Sequence, residues 1–145
     1  MFYVYSHYLE ILKDATYIHG ISSVASPGLA QFIAEKVVTG IPVDLVVNND
    51  VIELLSKEPY ASNMQGLANY PNFTVWITAE KLKVGLTVTD KYLSLGLFKK
   101  GTNLYDSSSD LFSKDLRAVE WGETLFRHYK ERSTKLDIAA LFQGL

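Results

Sequence analysis

Residues 81–98, "KLKVGLTVTDKYLSLGLF", constrain the fold more tightly than any other stretch of this chain. Apolar side chains recur at every second position on both sides of a polar turn, the period of two strands with one face buried. With Asp90 and Lys91 as a two-residue turn, Thr89 faces Tyr92, Thr87 faces Ser94, Gly85 faces Gly96 and Lys83 faces Phe98. These eight residues share one face, while Leu82, Val84, Leu86, Val88, Leu93, Leu95 and Leu97 form the other. Two glycines directly opposite one another leave bare backbone, a trough that admits either a ligand or a closely packed helix.

The chain before the hairpin alternates between helical and strand patterns. "FYVYSHYLEILKDA" reads as an amphipathic helix and "TYIHGIS" as a short strand. "PGLAQFIAEKVVT" starts on a proline and stops at Gly40, as helices commonly do. "PVDLVV" is a nearly continuous apolar strand, expected where both faces of a sheet are covered, and "NND" offers a cap for "VIELLSKE". A short helix over "ASNMQGLAN" and the strand "FTVWIT" follow. This order predicts an α/β fold: a mixed sheet with parallel strands plus the antiparallel hairpin, with helices on both faces. After the hairpin, "KKGTNLYDSSSD" reads as a polar loop and "SKDLRAVEWGETLFRHYKERSTK" as a helix. Gly122 inside that helix costs about 1 kcal/mol relative to alanine, which implies close packing against a neighbour. One domain over residues 1–145 is expected, without internal repeats.

At 145 residues, net charge −2 and pI about 5.9, the chain offers no electrostatic footprint for nucleic acid. The absence of cysteine excludes disulfides, thiolate metal sites and cysteine nucleophiles. Apolar runs such as "IPVDLVV" are too short to span a bilayer, and the first fifteen residues lack the pattern of a signal peptide, so a cytoplasmic location and no membrane partner are expected. His7, His19 and His128 have no metal-ligand spacing and are expected as packed or surface residues. "DSSSD" (106–110) is expected as a solvated loop, and Glu120 with Glu123 as a solvated helix face. No metal or cofactor is implied. The apolar tail "LDIAALFQGL" must dock either on its own domain or on a partner subunit, and a C2 homodimer is expected.

The hairpin spacing resembles the H-x-K-x4-D and following Gly-Ser pattern of the phospholipase D superfamily. Aligning Asp90 with the motif aspartate puts Lys83 at the histidine, Gly85 at the lysine, Gly96 at the glycine and Leu97 at the serine. The nucleophile and the phosphate-neutralising lysine are both missing, so the likeness implies binding without catalysis. Ser22 and Ser23, and Asn48 and Asn49, would lie at the carboxyl ends of the first two parallel strands, the edge where ligands of open α/β sheets bind. The candidate ligand-binding set is therefore Ser22, Ser23, Asn48, Asn49, Lys83, Gly85, Thr87, Ser94 and Gly96, with capping and loop duty the competing role for the serines and asparagines.

"YLEILKDATYIHGISSV", "TVTDKYLSLGLF" and "AVEWGETLFRHYKERS" together resemble the middle or C-terminal domain of archaeal winged-helix regulators, including the methanogenesis regulatory proteins. The resemblance implies a non-enzymatic sensor domain whose DNA-binding winged helix is absent from this chain. Its expected partner is a small effector, with Lys83 favouring an anionic one; DNA would be reached only through the missing domain. A degenerate hydrolase and a purely structural dimerisation domain are the alternatives.

Overall fold

The computed structural model describes residues 13–22, 27–82, 84–98 and 105–142. The strands are β1 (Ile18–Ser22), β2 (Val43–Val47), β3 (Phe73–Thr78), β4 (Val84–Thr89), β5 (Leu93–Phe98), β6 (Tyr105–Ser113) and β7 (Ser133–Lys135). The helices are α1 (Pro27–Val38), α2 (Asn49–Leu55), α3 (Ala61–Leu67), α4 (Leu116–Glu131) and α5 (Ile138–Leu141). One sheet holds all seven strands in the order β6-β5-β4-β1-β2-β3-β7. β1, β2 and β3 are parallel, joined through α1 and then through α2 and α3. The hairpin β4–β5 adds antiparallel to β1, β6 adds antiparallel to β5, and β7 closes the far edge antiparallel to β3.

Local chemistry explains the helix ends. Gly40, at φ 97°, donates to the Val37 carbonyl at 2.9 Å while Ile41 donates to that of Lys36 at 3.3 Å. These are the paired bonds that close a helix on a left-handed glycine. The Asn48 side-chain oxygen accepts from the Val51 N–H at 3.0 Å and caps α2, and Asp115 accepts from Arg117 N–H at 2.8 Å to cap α4.

Alternation along the strands divides the interior into two cores. The front face sends Ile18, Val43, Val47, Phe73 and Val75 against Val37, Val51, Leu55, Met64, Leu67 and Ile138 of the helices. The back face sends Ile21, Val46, Leu86, Val88, Leu93 and Leu95 against Val119 and Phe126 of α4. Both faces of β2 are thus covered, as its apolar run requires. Gly122 of α4 sits where a Cβ would lie 2.7 Å from Leu93 Cδ1 and 2.8 Å from Val88 Cγ2, the close packing its position in a helix implied.

Two expectations are revised, and a third is decided between its two alternatives. "DSSSD" is no loop: it lies within the nine-residue β6, where Asp106 pairs with Leu97, the register then shifts before Leu111 pairs with Leu95, and the polar residues suit an edge strand. The helical pattern through "STK" ends at Glu131, because Ser133–Lys135 leave the helix to pair with the edge of β3 and Leu136 donates to the Val75 carbonyl at 2.8 Å. The apolar tail docks on its own domain: Ile138 is buried in the front core, with Leu136 and Phe142 packed against it. The expected helix at the start of the chain lies, up to residue 12, outside the described residues.

Candidate functional site

The hairpin register is the one the sequence implies: Gly85 opposite Gly96 and Thr87 opposite Ser94, all on the front face. The structure widens this field of small residues. Gly20 of β1 pairs with Thr87, so one row across the sheet runs Leu45, Gly20, Thr87, Ser94, Phe112. A Cβ on Gly20 would lie 2.9 Å from Leu45 Cδ2, so glycine is needed for Leu45 to lean over that strand. Ser22 ends β1 on the same side as Gly85, because Ile21 pairs with Leu86. At the turn end the field is closed by Tyr92, which stacks on Phe112 at 5.5 Å, with the Lys114 amine 5.6 Å from the Tyr92 ring centre. Thr89 is fully buried there, and its hydroxyl accepts from the N–H groups of Lys91 and Tyr92, locking the turn. Ser94 is 6% exposed and Gly96 is buried, whereas Gly85 and Thr87 are half-buried. Access to the field is therefore greatest beside Gly85 and Thr87.

The remaining candidates fare differently. Asn48 follows β2 at the carboxyl edge, beside the end of β1, but its side-chain oxygen is occupied by the α2 cap. Asn49 is the exposed first residue of α2. Ser23 and Lys83 lie outside the described residues. Asp90, the residue aligned with the phospholipase D aspartate, accepts from the Thr16 N–H at 3.0 Å and ties the hairpin turn to the segment entering β1. Position still favours this edge. β1 lies between parallel β2 and antiparallel β4, where the strand order reverses, and open α/β sheets bind ligands outside the carboxyl ends at such a point.

The back face carries a polar cluster that neither spacing nor composition revealed. His19 Nδ1 lies 2.9 and 3.1 Å from the two carboxylate oxygens of Glu123, and its ring stacks on Phe126 at 4.5 Å and 9°. Tyr17 lies 4.8 Å from the His19 ring. Its phenol is pushed up to about 12, first by burial, then by the charge and hydrogen bond of Glu123 and the charge of Asp90. Asp44, the strand neighbour of His19, pairs with Lys130 at 3.5 Å, and the Lys130 amine sits 5.0 Å from the Trp76 ring centre. The available signal was the alternation of β1, which turns Tyr17, His19 and Ile21 to the face opposite Ile18. Among the described residues, no group of three or more His, Cys, Asp or Glu is placed to hold a metal ion.

A family model described as the middle domain of methanogenesis regulatory protein FilR1 matches residues 1–132. The chain belongs to this family. It is 31% identical over 100 residues to methanogenesis regulatory protein FilR1 of Methanothrix harundinacea (strain 6Ac), a match covering 68% of this chain and 22% of that protein. Among solved structures, TrmBL2, described as an archaeal chromatin protein with a novel mode of DNA binding, superposes with a TM-score of 0.72 over 90% of this chain and 50% of its own, at 18% identity. At that identity the likeness concerns the fold alone. Among the described residues, no helix is long and apolar enough to cross a membrane.

Proposed function

We propose that this domain is the effector-sensing module of an archaeal transcriptional regulator, binding a small molecule at the carboxyl edge of the front face without chemical turnover. The observation that carries the reading is the facing pair Gly85 and Gly96, set beside Thr87 and Ser22 at the point where strand order reverses, in a chain of the FilR1 middle-domain family. Half-buried Gly85 leaves backbone that a flat or slender ligand can approach, and Thr87 supplies a hydroxyl for hydrogen bonding. Lys83, two residues before Gly85 in the chain, favours an anionic effector. DNA would be read by a separate winged-helix domain, in a cytoplasmic homodimer whose two copies match two half-sites.

The test is a thermal-shift screen against metabolites and cofactors. A ligand that binds only the folded state adds about 2.7 kcal/mol at 100 times its Kd. A hit should be lost in Gly85→Val, with the apo fold retained. Binding that survives Gly85→Val moves the site elsewhere. Unfolding of apo Gly85→Val assigns the glycines to packing.

A further inference from the structure

The hairpin has two faces with two jobs. Gly85 lies between Val84 and Leu86, Thr87 between Leu86 and Val88, and Ser94 between Leu93 and Leu95. The front members line the field described above, and the back members form the seat of α4. At that seat the backbone of Gly122 is so close to Leu93, Val88 and Leu86 that a single added carbon would stand 2.7, 2.8 and 3.7 Å from them. Close-packed interiors transmit displacement rather than absorb it, so β4 has little freedom to move at Thr87 without moving α4.

The other half of α4 is fastened to different strands. Phe126 stacks on His19 of β1, Glu123 pairs with His19, and Lys130 pairs with Asp44 of β2 while covering Trp76 of β3. In all, α4 packs against β5, β4, β1, β2, β3 and β7. It crosses, on the back, the β4–β1 seam that the candidate site straddles on the front. The helix is thus held to the strands on both sides of that seam.

We propose that α4 is the output element of this domain: occupancy of the front face beside Gly85 and Thr87 alters the seating of α4 at Gly122. This rests on the reading of that face as the effector site, and it specifies how binding would be passed on. The helix itself, held to the parallel strands through Glu123, Phe126 and Lys130 and to the hairpin at Gly122, is the physical link, with the glycine contact as the point that either seats or lifts.

The experiment is residue-resolved amide hydrogen exchange on the intact chain, comparing wild type with Gly85→Val, which places a side chain on the front face, and Thr87→Ala, a gentler change there. A Val75→Ala variant lesions the front core in β3, away from the hairpin. The coupling predicts that amides of residues 119–126 exchange about tenfold faster or slower in the front-face variants, an effect within the usual range for linked sites. Val75→Ala should alter them only in proportion to global stability. Unchanged α4 protection in both front-face variants overturns the proposal, as does a uniform change over all strands. Should Gly85→Val fail to fold, Thr87→Ala decides. If screening yields no effector but α4 still responds, the coupling stands and the effector site is wrong. If an effector binds beside Gly85 and α4 protection does not change, the site stands and the coupling is wrong.

Discussion

Gly122→Ala tests the packing of α4 through the sign of its effect. On an exposed helix the change stabilises by about 1 kcal/mol, because alanine loses less backbone entropy. At this position the new methyl would stand 2.7 Å from Leu93 Cδ1 and 2.8 Å from Val88 Cγ2, distances at which something must shift. Leu93 can move the end of a flexible chain, but Val88 is branched at Cβ, fully buried and held to few rotamers. Overfilling a packed site costs about 1–3 kcal/mol, so the balance against propensity is a net destabilisation of about 0–2 kcal/mol. Urea denaturation with an unchanged m-value measures it. Leu93→Ala should lower the midpoint by itself yet make room, so that Gly122→Ala costs less in that background, a coupling between touching residues that a double-mutant cycle reports. Stabilisation by Gly122→Ala of about 1 kcal/mol, the value for an unhindered helix, would show that α4 does not sit on the hairpin as described.

Asn48→Ala should cost about 1 kcal/mol through loss of the α2 cap, and Asn48→Asp much less, both read from denaturation midpoints. Tyr17 gives an alkaline signature: its phenol, raised from 10.0 to about 12, favours the folded state while neutral, so that contribution is present below pH 10 and lost as pH climbs towards 12. Tyr17→Phe should abolish that component of the alkaline fall in stability, and Glu123→Gln should shrink it, because a charge that raises the folded-state phenol is gone; an alkaline profile identical to wild type in both variants would refute the assignment. Phosphodiester and phosphomonoester substrates should show no turnover above buffer with or without divalent metal, and activity that disappears in Lys83→Ala would restore the hydrolase alternative.

The parallel core and the hairpin were legible because their signals are local and periodic. "PVDLVV" is buried on both faces, "VGLTVT" and "LSLGLF" alternate, and a two-residue shift of register would keep the faces while an odd one would invert them. Gly85 and Gly96 could be placed opposite each other by counting from the turn alone. β6 and β7 could not. "DSSSD" and "STK" have loop-like composition but belong to strands that pair with the edges of β5 and β3, a tertiary fact no window of sequence contains. Asn48 was legible twice over, as a cap and as a ligand candidate, and the cap accounts for its oxygen.

The back-face cluster was hidden for a different reason. His19 and Glu123 are 104 positions apart, and nothing in either neighbourhood announces the other. What joins them is the seating of α4 on the sheet, close enough at Gly122 that an added Cβ would crowd Leu93 and Val88, with Glu123 reaching His19 at 2.9 Å and Phe126 lying flat on its ring. The same glycine was read from the sequence as a contact of unknown partner. Its partners prove to be Leu93, Val88 and Leu86, whose chain neighbours Ser94, Thr87 and Gly85 line the candidate site. The hairpin thus carries small residues on its front face and, on its back, a leucine and valine seat against which a glycine of α4 packs. A substitution that crowds either face should therefore be felt on the other.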